Sequence, residues 1–122
     1  MKSNKFAALL ERMAEEWTRR DYRAVADRFA ERIFYSDSLN YSFSTRRELL
    51  EFFADDGDRP QFCRFHHSVF DERRGLGAAE YTYEGTFRYH GTVWVKIEEG
   101  KIVEWREYQH KSDLAREEFW KR

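Results

Sequence analysis

The sequence predicts an α+β fold in which helices pack on one face of an antiparallel sheet. The hydrophobic periodicity is helical in the first half of the chain, and from Gln61 onward it changes to the alternation that is typical of strands. The segment Gly100–Tyr108 follows a long strand-like run, Ala78–Ile97, and is typical of the last hairpin of a curved sheet. Helices followed by strands indicate an α+β domain. We expect one domain over residues 1–122, a length that is sufficient to bury a core.

Charge and composition exclude several kinds of partner. The 22 basic and 23 acidic residues are interleaved, so no basic stripe is available to bind nucleic acid. The segment Met1–Trp17 contains three glutamates and no continuous apolar stretch, and so it predicts neither a signal peptide nor a membrane partner. Cys63 is the only cysteine, and we therefore expect a cytoplasmic protein.

Two helices are predicted at the start of the chain. Apolar residues at helical spacing predict a helix over residues 4–19; they are Phe6, Leu9, Leu10, Met13 and Trp17. Asp21 suits the N-cap of a shorter helix. That helix would carry Tyr22, Val25, Ala26 and Phe29. Since almost nothing separates the two helices, they should form a tight corner.

A short strand and a third helix are predicted next. The strand is Ile33–Asp37. Thr45–Glu48 has the pattern of a capping box, which opens a helix that carries Leu49, Leu50, Phe52 and Phe53. The segment Asp55–Pro60 ends this helix.

Three long strands should follow, before a final one. In the first, Cys63, Phe65, His67 and Val69 alternate with Arg64, His66 and Ser68, so the first set should point inward and His66 outward. The turn Arg73–Gly77 leads to the second strand. The third contains Val93, Val95 and Ile97.

The last hairpin is predicted to have a three-residue loop, Glu99–Lys101. The pairs that this loop would set opposite each other are Lys96 with Glu104, Trp94 with Arg106, and Val95 with Trp105. The first would be an ion pair and the second a cation–π pair. Ser112 is expected to cap a last short helix that carries Leu114 and Trp120.

The sheet face opposite the helices should also be buried, by a part of this chain or by a partner. Its predicted residues are Thr82, Glu84, Thr86, Arg88, Trp94, Lys96, Glu104, Arg106 and Tyr108. Aromatic residues and arginine are enriched at protein interfaces. We therefore expect a homodimer through this outer sheet face.

The element order, together with Tyr35–Asp37 and the closing segment Gly100–Tyr108, resembles the nuclear transport factor 2-like superfamily. Within it, the chain is most similar to the SnoaL-like branch, which is related to polyketide cyclases and ketosteroid isomerase. The resemblance covers nearly the whole chain. It implies a cone-shaped, curved antiparallel sheet with helices on its concave face, as in cystatin-like folds, and a deep apolar pocket. Because the superfamily contains isomerases, dehydratases, epoxide hydrolases, cyclases and non-catalytic members, it does not specify a reaction.

The resemblance makes Asp37 the first candidate catalytic residue. In ketosteroid isomerase-like members, an aspartate after the second helix is the general base. Ketosteroid isomerase is itself a well-known example of an enzyme whose surroundings tune the pKa of its carboxyl groups. The two positions that supply the oxyanion hole fall on Met13 and Val93, which cannot donate hydrogen bonds, so steroid isomerisation is not predicted. The alternative for Asp37 is a solvated or turn-capping residue.

Glu107 and His67 are the other two candidates for proton transfer. The strand pattern points Glu107 inward, where burial would raise its pKa toward neutrality. The resemblance also implies that an acid in this last strand can take part in catalysis. His67 is predicted to point inward, where an imidazole beside a carboxylate can move protons. The alternatives are a structural hydrogen bond for Glu107 and a satisfied core histidine for His67.

Aromatic and apolar residues should form the ligand-binding wall of the pocket. Those predicted to line it are Tyr35, Phe65, Tyr81, Tyr83, Trp105, Met13 and Trp17, with Gln109 near the mouth. The four histidines lack the spacing of a metal site, and no Gly-rich phosphate loop or dinucleotide fingerprint is present. We expect neither a metal nor a cofactor.

Two functions remain open at this point. The first is a cofactor-free acid/base enzyme that binds a small apolar or aromatic molecule and catalyses an isomerisation, cyclisation, dehydration or hydrolysis. The second is a non-catalytic ligand-binding or dimerisation module of the same fold. An open pocket with Asp37 and His67 both exposed to it would favour the enzyme, and a collapsed, dry interior would favour the non-catalytic module.

Overall fold

The structure is a computed structural model that describes residues 1–37 and 40–121. The described strands are β1 (Phe29–Asp37), β2 (Tyr41–Thr45), β3 (Phe62–Asp71), β4 (Leu76–Glu84), β5 (Arg88–Glu98) and β6 (Lys101–Lys111). The described helices are α1 (Ser3–Thr18), α2 (Tyr22–Asp27), α3 (Arg46–Ala54) and α4 (Arg116–Trp120). Over these residues, no helix is long and apolar enough to cross a bilayer.

The predicted α+β class is confirmed. The six strands form one curved, unclosed sheet in the order β2-β1-β6-β5-β4-β3. All neighbouring strands are antiparallel except β1 and β6, which run parallel. The expectation of a wholly antiparallel sheet is therefore wrong at one pair, and this pair places Asp37 directly beside Glu107.

Local signals account for most of the helical part. The apolar stripe of α1 is buried, and Phe6 and Met13 have no exposed surface. Arg20, with a φ of 63°, makes the corner, and Asp21 caps α2 by accepting a hydrogen bond from the Ala24 amide at 3.3 Å. Phe29 is the first residue of β1, whereas the sequence pattern had placed it in α2.

The predicted capping box at the start of α3 is present. The Thr45 hydroxyl accepts from the Glu48 amide at 3.1 Å and donates to the Glu48 carboxylate at 2.9 Å. Directly before it lies β2, a strand that was not predicted. Its alternation of Tyr41 and Phe43 with serines is the signal that could have revealed it.

A bulge in β3 changes which residues face inward. Phe65 pairs with Tyr81, but the next pair is His67 with Glu80, so His66 is an extra residue in the strand. His67 is consequently exposed. The prediction that it points inward is wrong, because the bulge shifts the alternation by one residue. The same shift exposes Val69 and turns Phe70 inward, where it stacks on Phe6 at 4.6 Å.

The predicted pairing of the last hairpin is confirmed, although its loop is different. Lys96 pairs with Glu104, Trp94 with Arg106 and Val95 with Trp105. The turn itself has two residues, Glu99 and Gly100, both with positive φ, and the bulged residue Val103 restores the register.

The predicted side-chain contacts across this hairpin are replaced by others. Glu104 accepts a hydrogen bond from Arg106 at 3.0 Å, and the Arg106 guanidinium lies 5.2 Å from the centre of the Phe34 ring. The aromatic partner of Arg106 thus comes from β1, because the parallel strand lies on the other side of β6.

Helix α4 covers part of the outer sheet face, next to a chain of hydrogen bonds. His90 Nε2 donates to the Leu114 carbonyl at 2.7 Å, and its Nδ1 lies within hydrogen-bond distance of the Thr82 hydroxyl, at 2.9 Å. Thr82 also contacts His66 at 2.8 Å. Because the Phe119 ring stacks on His90 at 4.2 Å, Thr82 is fully buried and does not belong to an open face.

The start of α4 differs from the prediction. Its N-cap is Ala115, without a side-chain cap. Ser112 instead accepts a hydrogen bond from the Leu114 amide at 3.0 Å, closing a turn before the helix.

Candidate active site

A cavity of about 430 Å³ lies on the inner face of the sheet, bordered by α1, α2 and α3. This is a usual size for a ligand site. Half of its lining residues are aromatic; the rings belong to Trp17, Tyr22, Tyr35, Tyr41, Phe52, Phe53, Phe65, Tyr81, Tyr83, Phe87, Tyr89 and Trp105. The cavity also reaches Asp37 and Glu107.

The parallel pairing of β1 with β6 brings the two carboxyl groups together. Asp37 is the register partner of Glu107, and both side chains line the cavity. The other neighbour of Glu107 in the sheet is Val93, which is fully buried and apolar. An apolar surrounding and a second acid together disfavour the charged form of a carboxyl group.

Hydrogen bonds hold one oxygen of Glu107 in place. Glu107 Oε1 accepts from the Tyr35 hydroxyl at 2.9 Å and from Trp105 Nε1 at 2.8 Å. The pKa of Glu107 is raised from 4.5 to about 7, because burial and the charge of Asp37 raise it by more than the two hydrogen bonds lower it. Glu107 can therefore exchange a proton near neutral pH.

Asp37 is held in a similar way by two amides. Its Oδ2 accepts from Asn40 Nδ2 at 2.9 Å and from Gln109 Nε2 at 3.3 Å. The side chain of Gln109 is itself oriented, because its Oε1 accepts from the Tyr81 hydroxyl at 2.5 Å. Because an amide NH₂ group can only donate and its oxygen can only accept, Gln109 accepts from Tyr81 and donates to Asp37.

Each carboxyl group thus has one held oxygen and one available oxygen. Within residues 1–37 and 40–121, Asp37 Oδ1 and Glu107 Oε2 have no hydrogen-bond partner. Two fixed carboxyl groups that each offer a free oxygen to one cavity can act as an acid/base pair.

A second cluster of polar side chains is held together by hydrogen bonds at the mouth of the cavity. Arg20 donates to Asp56 from two nitrogens, at 2.6 and 2.8 Å, and the Tyr22 hydroxyl donates to the same carboxylate. The Arg20 and Tyr22 hydrogen bonds hold the pKa of Asp56 well below its usual range. This cluster joins the segment after α3 to the corner between α1 and α2.

A family model for the SnoaL-like domain matches residues 10–105. The chain belongs to the SnoaL-like family. Among curated proteins, no sequence relative of this SnoaL-like protein is found.

Solved structures share the fold of this SnoaL-like protein at low sequence identity. An epoxide hydrolase from M. tuberculosis, described as LEH-like, is 12% identical with a TM-score of 0.75, and the match covers 88% of this chain and 84% of the other. The epoxide hydrolase/cyclase-like enzyme SalBIII, which has a role in pyran ring formation in salinomycin, is 14% identical with a TM-score of 0.76, covering 88% and 92%.

A third neighbour was solved with a small ligand. It is a protein of ketosteroid isomerase-like fold from Catenulispora acidiphila in complex with trimethylamine, 16% identical with a TM-score of 0.69, covering 78% of this chain and 79% of the other. At such identities the likeness shows the fold alone.

The structure brings most of the predicted site residues of this SnoaL-like protein to one cavity, with two exceptions. Asp37 and Glu107 line it together with Tyr35, Phe65, Tyr81, Tyr83, Trp105 and Trp17. His67 lies on the outer side of the sheet, for the reason given above. Met13 has no exposed surface and packs in the core, so it does not reach the cavity wall.

Sequence reasoning missed several polar residues of the cavity. Tyr41 is the first residue of the unpredicted strand β2, and Asn40 directly precedes it. Gln61 donates to the Trp17 carbonyl while it accepts from Tyr83 at 2.6 Å. Cys63 also lines the cavity, and burial raises the pKa of its thiol well above the usual range, so it is no nucleophile at neutral pH. In the part of the chain that the structure describes, no group of three or more metal-binding side chains is found.

Proposed function

We propose that the protein is a cofactor-free acid/base enzyme that acts on a small, largely apolar or aromatic molecule in its cavity. The observation that carries this proposal is the pairing of Asp37 with Glu107 across two strands in an aromatic cavity, where each has one oxygen without a hydrogen-bond partner among residues 1–37 and 40–121. Such a pair of carboxyl groups in different surroundings is a common basis for assigning an acid and a base.

The pKa of Glu107 supports one division of roles within this proposal. Glu107, with a pKa of about 7, is the general acid, and it transfers a proton to an oxygen of the substrate. Asp37 is the general base, and it accepts the proton of the attacking water or hydroxyl group. This exchange conserves protons and suits the opening of an epoxide or the closing of a cyclic ether. The names of the M. tuberculosis and SalBIII neighbours support these reaction classes.

Substitution of either carboxyl group should abolish most of the activity. The assay would follow hydrolysis of styrene oxide, cyclisation of a γ,δ-epoxy alcohol and isomerisation of a β,γ-unsaturated ketone. For any substrate that is turned over, Asp37→Asn and Glu107→Gln should each lower kcat/KM at least about 100-fold, the usual contribution of a general acid or base. Asp55→Asn, an exposed acid at the cavity mouth, is the matched control and should retain activity.

The pH profile provides an independent check of the roles. Because the acid form of Glu107 is required, kcat/KM should fall as the pH rises through about 7. Full activity of Asp37→Asn would contradict the proposal and leave the cavity as a binding site.

Ligand binding without catalysis is the second candidate function. It is favoured by the C. acidiphila protein, which holds trimethylamine in a related fold. Saturable binding of the test compounds without any turnover would support this reading.

We also propose that the protein forms a homodimer through the outer sheet face. Three large aromatic side chains are exposed there: Phe34, Trp94 and Tyr108. Since α4 covers the region around Thr82, the proposed interface is limited to the β1, β6 and β5 part of this face.

The buried and unpaired Cys63 suits the reducing cytoplasm, where we expect the protein to act.

Charge reversal at the centre of this face tests the dimer. Arg106→Glu should shift the molar mass in light scattering from dimer to monomer at micromolar concentration, because it removes the guanidinium from Phe34 and leaves two acids together. Arg73→Glu, in an exposed turn, should leave the mass unchanged. A monomeric wild-type protein, or a dimer that Arg106→Glu does not affect, would exclude this interface.

A further inference from the structure

Three residues on neighbouring strands form one row that faces the cavity. Tyr41 on β2 is the register partner of Asp37 on β1, which in turn is the partner of Glu107 on β6. Directly opposed residues of neighbouring strands share a face of the sheet. All three side chains line the cavity. Tyr41 thus extends the carboxyl pair by one position at the edge of the sheet.

Three other tyrosines of the cavity already donate their hydroxyl hydrogen to protein groups. The Tyr35 hydroxyl donates to Glu107, that of Tyr81 to Gln109 and that of Tyr83 to Gln61. They cannot donate to a ligand without losing a protein hydrogen bond.

Tyr41 differs from these tyrosines. Across residues 1–37 and 40–121, its hydroxyl has no hydrogen-bond partner, although its ring is fixed against Phe52 at 4.7 Å and Phe43 at 5.5 Å. Burial, with the charges of Glu107 and Asp37, raises the pKa of the Tyr41 hydroxyl well above its usual value. Tyr41 therefore stays protonated, and its hydroxyl can donate a hydrogen bond to a ligand.

We propose that Tyr41 is a substrate-binding residue that donates a hydrogen bond to an oxygen of the substrate beside the carboxyl pair, and that the substrate is a neutral molecule. This inference rests on the proposed function of the same cavity. A neutral oxygen, as in a ketone, epoxide or ether, can accept from Tyr41 and from protonated Glu107. An anionic group beside Tyr41 would lie next to Asp37 and Glu107, and in the described structure neither of these carboxyl groups is paired with a cation. The cavity also reaches Arg59, but this cation lies in the segment after α3 and not in the row.

Three ligands of similar shape separate the contributions of hydrogen bonding and of charge to the binding affinity. Acetophenone accepts a hydrogen bond, cumene does not, and benzoate is an anion. Binding is measured by isothermal titration calorimetry at pH 8.5, where Glu107 is ionised and Tyr41 is the remaining donor of the row. Wild-type protein should bind acetophenone about five- to tenfold more tightly than cumene, the range of one hydrogen bond, and benzoate most weakly.

Tyr41→Phe should remove the preference for acetophenone over cumene and leave the affinity for cumene unchanged. Tyr108→Phe, at an exposed tyrosine outside the cavity, is the control and should keep the preference. A preference that survives in Tyr41→Phe, or benzoate that binds as tightly as acetophenone, would overturn this inference while the acid/base proposal stands. If neither acetophenone nor cumene binds, both the inference and the ligand-binding role of the cavity are wrong.

Discussion

Replacement of Trp105 by alanine is expected to lower the free energy of unfolding by about 3–5 kcal/mol. Trp105 is 1% exposed, and four other rings surround it: Trp17 at 5.6 Å, Phe29 at 5.8 Å, Phe65 at 6.0 Å and Tyr35 at 6.3 Å. Since these rings are held by three elements, α1, β1 and β3, they cannot close together to fill the space that the indole leaves.

Equilibrium unfolding in urea at pH 7 measures this loss. Phe87→Ala is a suitable control, because Phe87 is an aromatic residue in the loop between β4 and β5 with 48% exposure. Phe87→Ala should lower the free energy of unfolding by less than about 1 kcal/mol. A cost below about 1 kcal/mol for Trp105→Ala would contradict the register of β6 on which the candidate site depends.

Glu107→Gln is expected to stabilise the protein at pH 8.5, by about 2–3 kcal/mol, and to have little effect at pH 4. The pKa of Glu107 is about 7 in the folded protein against 4.5 ordinarily. Between these values the unfolded chain loses its proton first, so the stability that the protonated group provides at low pH is lost as the pH rises through about 7. Glutamine keeps an oxygen for Tyr35 and Trp105 and carries no charge.

The measurement is the difference in unfolding free energy between variant and wild type across this pH range. Glu98→Gln, an exposed acid at the end of β5, should show no pH-dependent difference. The same free energy difference for Glu107→Gln at pH 4 and pH 8.5 would mean that the carboxyl group is solvated, and it would remove the basis for its role as an acid.

Several features of the fold could be predicted from sequence because they depend on neighbouring residues. The apolar stripe of α1 and the Thr45–Glu48 capping box need only residues within about one or two helical turns. The pairing of Val95 with Trp105 was also predicted, because a tight turn and alternation limit the register of a hairpin. The inward orientation of Glu107 follows from the same alternation.

Features that depend on distant parts of the chain were predicted poorly. The side chain of His67 was assigned to the wrong face, since a bulge adds one residue to β3 without any clear local signal. Met13 was assigned to the pocket wall, because a buried stripe on a helix does not distinguish core from cavity. The strand β2 was missed, and with it Tyr41.

The sequence by itself determined that this chain is an α+β protein of the SnoaL-like type and that Asp37, Glu107 and a set of aromatic residues are its candidate site. Only the tertiary structure decided which of them meet. The parallel pairing of β1 with β6 joins residues that are 70 positions apart in the sequence, Asp37 and Glu107, and the edge strand adds Tyr41. Local periodicity specifies which face a side chain occupies, but the order of strands in a sheet is set by the packing of the whole chain.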